Sequence, residues 1–141
     1  MDDIMDITKY PQFHLYLLTL NLLVLKDQLI PEGCDDWCIN STIINRAYFS
    51  SYLFCKLWLE YIKKFKPISI MKLSPDERIS EHLQVRNALY NFGEKQVKYE
   101  LSKLANLRQK VDYDPFRNLT SQDVSNAIQH MEKIFNTLKF Q

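Results

Sequence analysis

The sequence predicts an all-α protein, an up-and-down bundle of about five helices forming a single domain over residues 1–141, and three observations carry that expectation. Only two glycines and five prolines occur in 141 residues. Nearly all of them stand where a helix would start or stop, which leaves long uninterrupted stretches between them. Within those stretches apolar residues recur at three- and four-residue spacing. The connections are mostly short, which makes consecutive helices neighbours. A composition 46% hydrophobic and 25% charged fits a soluble globular domain and excludes a disordered or fibrous chain. A chain of this length buries roughly two-thirds of its unfolded surface, enough for a core without metal or disulfides.

Pro11 suits a first helical turn. From there to Ile30 the chain is apolar at Phe13, Leu17, Leu18, Leu20, Leu22, Leu25 and Leu29, with Leu15, Leu23 and Val24 on other faces. A helix apolar almost all round is either central or covered by a partner chain. Pro31, Glu32, Gly33, Asp35 and Asp36 form a connection, after which Asn40, Ser41 or Thr42 caps a second helix running to about Phe65. Its face reads Ile44, Ala47, Tyr48, Ser51, Cys55, Trp58, Ile62 and Phe65, and the small Ala47, Ser50 and Ser51 admit close approach of a neighbouring backbone. Lys63, Lys64 and Lys66 place cations at its carboxyl end.

Ser74, Pro75, Asp76 and Glu77 combine an N-cap, a first-turn proline and first-turn acids. The third helix is therefore expected to begin there and to continue through His82, Val85, Leu89 and Phe92 to a stop at Gly93. A fourth, from Glu94 to about Lys110, uses Val97, Leu101, Leu104 and Leu107. Pro115 forces a break. Thr120 with Asp123 resembles a capping box, with Asp in place of Glu or Gln. The last helix then carries Val124, Ala127, Ile128, Met131, Ile134, Phe135 and Leu138 on one stripe.

Eighteen Lys and Arg against seventeen Asp and Glu leave a net charge of +1, so no strong basic field marks nucleic acid or an anionic membrane, and any RNA contact must be local. The apolar run from Leu15 to Leu25 is broken by Thr19 and Asn21. It is short of the roughly 18 apolar residues of a membrane span and lacks the flanks of a signal peptide. Cys34, Cys38 and Cys55 make an odd set without a disulfide framework, which points to the cytoplasm. Cys34 and Cys38 resemble half a zinc site, but no second Cys or His pair stands at ligand spacing to complete it, so no metal is expected.

Arg108 falls four residues beyond Leu104 on the core stripe of the fourth helix, so its guanidinium is expected to enter the bundle or its cleft and to need an anionic or carbonyl partner. Asp112, one turn later, can pair with it, and Tyr113 can lie beside it. Arg46, next to Ala47 and Tyr48, poses the same question on the second helix. His14 and His130 read as surface or boundary residues. Tyr48, Phe49 and Tyr52 are core by default, or a base-stacking platform if their face is open.

Two of these segments carry a resemblance. Asn45-Arg46-Ala47-Tyr48-Phe49-Ser50-Ser51 is similar to the Arg-Ala-Tyr-Tyr-Ala-Ala segment of the HEPN domain (higher eukaryotes and prokaryotes nucleotide-binding). Leu104 to Tyr113, with Leu107-Arg108 and Asp112-Tyr113, resembles that family's leucine-Arg-x-x-Ala-Asp-Tyr segment. Glu81-His82-Leu83-Gln84-Val85 resembles a weaker Ser/Thr-His-x-x-Val element. The resemblance spans roughly Ile43 to Leu138, and the first helix fits only in type. It implies a compact helical bundle that commonly forms a homodimer, in toxin-antitoxin, CRISPR-associated or antiphage settings. The partners it implies are a second copy, RNA, and a nucleotidyltransferase-type antitoxin or another protein. No cofactor is implied: many members are metal-independent ribonucleases, in which an Arg and a His separated by four to six intervening residues act on the phosphodiester. There an Arg clamps and stabilises phosphate charge and a His serves as general acid or base.

The chain departs from that pattern at the decisive point. Counting forward, Arg46 reaches Ser51 to Leu53, Arg86 reaches Asn91 to Gly93 and Arg108 reaches Tyr113 to Pro115, with no His among them. Arg86-Asn87 resembles the start of the motif without its His. Arg78 and His82 share a helical face but are one residue too close. Tyr113 stands where a His would follow Arg108, and a phenol of ordinary pKa near 10 is a poor base at neutral pH. The candidate site thus comprises Arg108, Asp112, Tyr113 and His82 for catalysis, and Arg46, Tyr48, Arg78, Arg86 and Asn87 for substrate. Two functions compete: RNA binding or cleavage by a toxin or defence component, and a catalytically silent dimeric regulatory subunit. An exposed Arg108 in a basic groove favours the first; a buried Arg108 bonded to Asp112 favours the second.

Overall fold

The computed structural model describes residues 6–29, 36–75, 79–113 and 119–139, and among these all regular structure is helical. Five α-helices follow in order: α1 (Pro11–Leu29), α2 (Asp36–Lys63), α3 (Glu81–Asn91), α4 (Lys95–Tyr113) and α5 (Ser121–Leu138), with short 3-10 turns at Ile7–Lys9 and Ile70–Lys72. Every consecutive pair of α-helices packs together, and α2 touches all four others. Among the described residues no helix is long and apolar enough to cross a membrane.

The centre of the bundle is α2. Ile39, Ile43, Ile44, Ala47, Tyr48, Phe54, Cys55, Trp58 and Leu59 are all buried, around most of its circumference. The helix begins at Asp36, earlier than the expected caps at Asn40 to Thr42. Those residues lie inside it because their side chains find partners there. Ser41 and Thr42 donate their hydroxyls back to the Cys38 carbonyl at 3.0 and 2.7 Å, and the Asn40 amide reaches the Leu119 carbonyl at 3.5 Å. As the small residues foretold, α5 comes close: buried Ser50 lies 3.3 Å from the Met131 sulfur.

α1 is not central. Of its residues only Thr19 is fully buried, its hydroxyl donating to the Leu15 carbonyl at 2.7 Å. Phe13 and Tyr16 stack on one another, and Tyr16 stacks on Phe135 of α5 at a centroid distance of 4.5 Å. Phe135 in turn stacks on Phe54 of α2 at 4.3 Å. The opposite face leaves Leu17, Leu18, Leu25 and Val24 exposed, the last at 76%.

The third helix also starts later than its sequence suggested. Ser80, not Ser74, is the N-cap, its hydroxyl accepting the Leu83 N–H at 3.1 Å. Ser74 and Pro75 precede the helix, and Asp76, Glu77 and Arg78 lie outside the described residues. The segment before α3 is fixed by buried Gln84. Its carbonyl accepts the Ile68 N–H and its amide donates to the Ile68 carbonyl, both at 2.8 Å, with a further bond to the Ile79 carbonyl at 3.2 Å.

Gly93 ends α3 as expected. It adopts φ +90°, and the Glu94 N–H reaches the Leu89 carbonyl while the Gly93 N–H reaches that of Tyr90, the paired bonds of a Schellman stop. At the end of α2 the corresponding left-handed residue is Lys64, φ 56°. The capping box of α5 forms with Asp in the third position: Thr120 and Asp123 exchange side-chain-to-backbone bonds at 3.0 and 3.1 Å.

Candidate functional site

The core stripe of α4 buries Val97, Leu101, Leu104 and Val111. Arg108, on the same stripe, reaches the rim of the bundle, where its side chain is 32% exposed. Its guanidinium lies over the Phe49 ring at 4.6 Å and the Tyr48 ring at 5.2 Å, an arrangement that attracts a cation to the aromatic face. Asp112 stands one turn on, its carboxylate 3.0 Å from Arg108 Nε. The two make a close charge contact without hydrogen-bond alignment, since Nε has no hydrogen-bonding partner.

A cavity of about 390 Å³ opens between α2, α3 and α4. Its walls are Tyr48 from α2, Ser80 and its followers His82 and Arg86 from α3, and Ala105, Asn106, Arg108, Gln109 and Asp112 from α4. Arg86 carries a buried Nε without a hydrogen-bonding partner. Arg108 and Asp112 also border a second hollow of about 230 Å³, whose other lining residues are Thr42, Asn45, Arg46 and Phe49. Lys56 of α2 pairs with Glu81 at 3.2 Å and ties down the start of α3 beside His82.

His82 is fixed by aromatic neighbours. Its ring lies flat on Tyr52, centroids 3.9 Å apart and planes within 6°, and its Nδ1 is hydrogen-bonded to the Tyr48 hydroxyl. Burial lowers the His82 pKa below its usual value, and Arg108 and Arg86 push it the same way. Burial raises that of the Tyr48 phenol, against the opposing pull of the same two arginines. At neutral pH the phenol is therefore protonated and the imidazole neutral. The Tyr48 hydroxyl and the Nδ1 of His82 share this bond, which with the stacked Tyr52 ring fixes the imidazole on the cavity wall.

The structure brings Arg108, Asp112, His82, Tyr48 and Arg86 to one cavity and sets Arg46 in the hollow beside it. Asn87 is exposed on α3 and is not on either wall. Tyr113 is the last residue of α4, with its side chain outside what is described, and Arg78 lies outside the described residues altogether. The aromatic trio follows its default core reading at two of three positions: Tyr48 and Tyr52 are buried, at 2% and 4% exposure, with His82 stacked against them, and of the trio only Phe49 is partly open.

Sequence reasoning missed Asn106, Gln109 and Ser80. The three-residue spacing of Asn106 and Gln109 put them on one helical face beside Arg108, which was a usable signal. It also missed that Glu100, one turn before Leu104 on the apolar stripe, is buried and lies 2.7 Å from His130 Nδ1. His130 is half-buried at the boundary, and the acid on an apolar stripe was the sign that it had a partner. Compared with family models, curated proteins and solved structures, the chain matches none.

Proposed function

We propose that the protein is a HEPN-like RNA-binding protein of the cytoplasm, in which the cavity between α2, α3 and α4 holds a backbone phosphate. The observation that carries this reading is the convergence of Arg86, Arg108 and His82 on one polar cavity. Two guanidiniums are donors matched to phosphate oxygens, and the imidazole is a third polar group beside them. Arg46 and half-buried Phe49 in the adjoining hollow offer a second charge and an apolar surface for the next nucleotide. RNA is favoured over a free anion by the resemblance of the Arg46–Ser51 and Leu104–Tyr113 segments to the HEPN family.

Metal-independent cleavage, as in a toxin or defence component, is the stronger form of this reading. In it the ribose 2′-hydroxyl attacks the adjacent phosphorus and passes its proton to the Asp112 carboxylate, Arg86 and Arg108 stabilise the charge gathering on the phosphate oxygens, and the P–O5′ bond breaks as the leaving oxygen takes a proton from water. The test is incubation of the protein with total cellular RNA in EDTA, beside Arg108→Ala, with folding followed by circular dichroism. Cleavage or binding by the wild type and its loss in a folded Arg108→Ala variant supports the proposal; equal behaviour of the two removes Arg108 from it.

A second reading rests on the Arg108–Asp112 contact and on the exposed apolar face of α1. Here the ion pair is structural and the chain is a silent regulatory homodimer, two-fold pairing being the commonest soluble assembly. Sedimentation at tens of micromolar distinguishes it: a single species near 16.8 kDa counts against the dimer.

A further inference from the structure

A third concavity, of about 520 Å³, opens between α4 and α5 on the other side of Asn106 and Gln109, which line both it and the Arg108 cavity. Lys103, Lys110 and His130 stand on its walls. Asp123 is there too, its carboxylate accepting the Thr120 N–H at 3.0 Å. His130 is held from behind. Its Nδ1 is 2.7 Å from the carboxylate of Glu100, which is 2% exposed and also takes the Gln96 amide at 3.2 Å and Lys133 at 3.7 Å.

A carboxylate accepts, so Nδ1 donates, and the opposite nitrogen of His130 is left for other partners. When neutral it accepts from a ribose hydroxyl; when charged it donates to a phosphate. The two lysines supply charge without shape, as phosphate contacts of a strand require. A helix with its side chains is about 10 Å across, so one phosphate cannot serve both Arg108 and the Lys103–Lys110 pair. Successive phosphates of one strand, crossing α4 over Asn106 and Gln109, can.

Resting on the RNA-binding reading above, we infer that the α4–α5 concavity is a second subsite for the same single RNA strand, with Lys103 and Lys110 on a neighbouring phosphate and His130, oriented by Glu100, on its nucleotide. Short RNA fills the Arg108 cavity alone, and longer RNA engages both.

The experiment is fluorescence anisotropy of labelled oligouridylates, a dinucleotide and one of about eight nucleotides, against the wild type, Arg108→Ala and the double variant Lys103→Ala/Lys110→Ala over a range of salt. The double variant is expected to lose about tenfold in affinity for the longer RNA. Its salt slope should fall by about 0.7, the value for one phosphate contact on a single strand. Its affinity for the dinucleotide should match the wild type. A double variant that binds the longer RNA like the wild type, while Arg108→Ala weakens both RNAs, overturns the second subsite and leaves the first. Loss with the double variant but none with Arg108→Ala overturns the first and keeps the second. An equal loss from Lys63→Ala/Lys66→Ala, outside both cavities, reduces the effect to overall charge and overturns the inference, as does a wild type that binds neither RNA.

Discussion

The hydroxyl of Tyr48 on α2 is hydrogen-bonded to Nδ1 of His82 on α3, and this bond holds the imidazole at the cavity wall. The two residues are 34 positions apart in sequence, and the contact exists only because α3 lies against the middle of α2. Tyr48→Phe keeps the ring but removes the hydroxyl, leaving a half-buried Nδ1 without its partner. The expected cost is about 1 kcal/mol, read as a lower urea midpoint at unchanged slope. An unchanged midpoint would mean that the phenol contributes no net stability.

His82 should titrate below its ordinary 6.5, and stability should follow. Between the folded and unfolded pKa values the unfolded chain binds more protons, so stability rises with pH. The contribution is complete above about 6.5 and is lost as pH falls through that value toward the folded pKa. NMR titration of the His82 ring should give a midpoint below 6.5, and urea melts should weaken less between pH 7.5 and 5.5 in His82→Gln than in the wild type. A His82 midpoint above 6.5 would contradict the buried, arginine-flanked environment.

The two helix ends in left-handed geometry predict opposite signs. Gly93 has open space where a Cβ would go, so Gly93→Ala meets no clash and costs only the backbone conformation, about 1 kcal/mol. Lys64 bears that strain already at φ 56°, and Lys64→Gly should recover a similar amount. Thermal denaturation of both variants checks the pair; a stabilising Gly93→Ala would refute the argument.

Gln84→Leu preserves bulk while deleting the bonds to both backbone groups of Ile68 and to the Ile79 carbonyl. With those groups part-buried, the expected loss is about 2 kcal/mol. Hydrogen exchange should quicken at the Ile68 amide before it does in the cores of α2 and α5. Uniform quickening would show that the connection has no stability of its own to lose.

The bundle was legible because its signals are local. The stripe of α5, the Thr120–Asp123 box and the Gly93 stop all lie within a few residues of what they control, and each formed as read. Boundaries failed where side-chain partners decide. Ser41 and Thr42 carry cap-like side chains but turn them back onto Cys38 inside α2, and Ser74–Glu77 reads as the start of α3 although Ser80 caps it, because the Gln84–Ile68 bonds that fix the preceding segment are invisible in sequence. α1 reads from its leucines as either central or covered by a partner chain, and it is α2 that occupies the middle, since hydrophobicity alone does not rank helices. For the site, the stripe position of Arg108 and the i, i+4 place of Asp112 were readable. The stacking of His82 on Tyr52 was not, because no spacing rule links α2 to α3.

Asp112 gives the cavity an internal counter-charge. Its carboxylate sits 3.0 Å from the guanidinium nitrogen of Arg108, carried on the same helix one turn away. An anion arriving at Arg108 therefore enters by exchange: one negative partner leaves the guanidinium as another takes its place. The gain is the difference between two ion pairs, not the full strength of one, which filters out weakly held monovalent ions and leaves the position to groups that bring more than one oxygen or more than one charge.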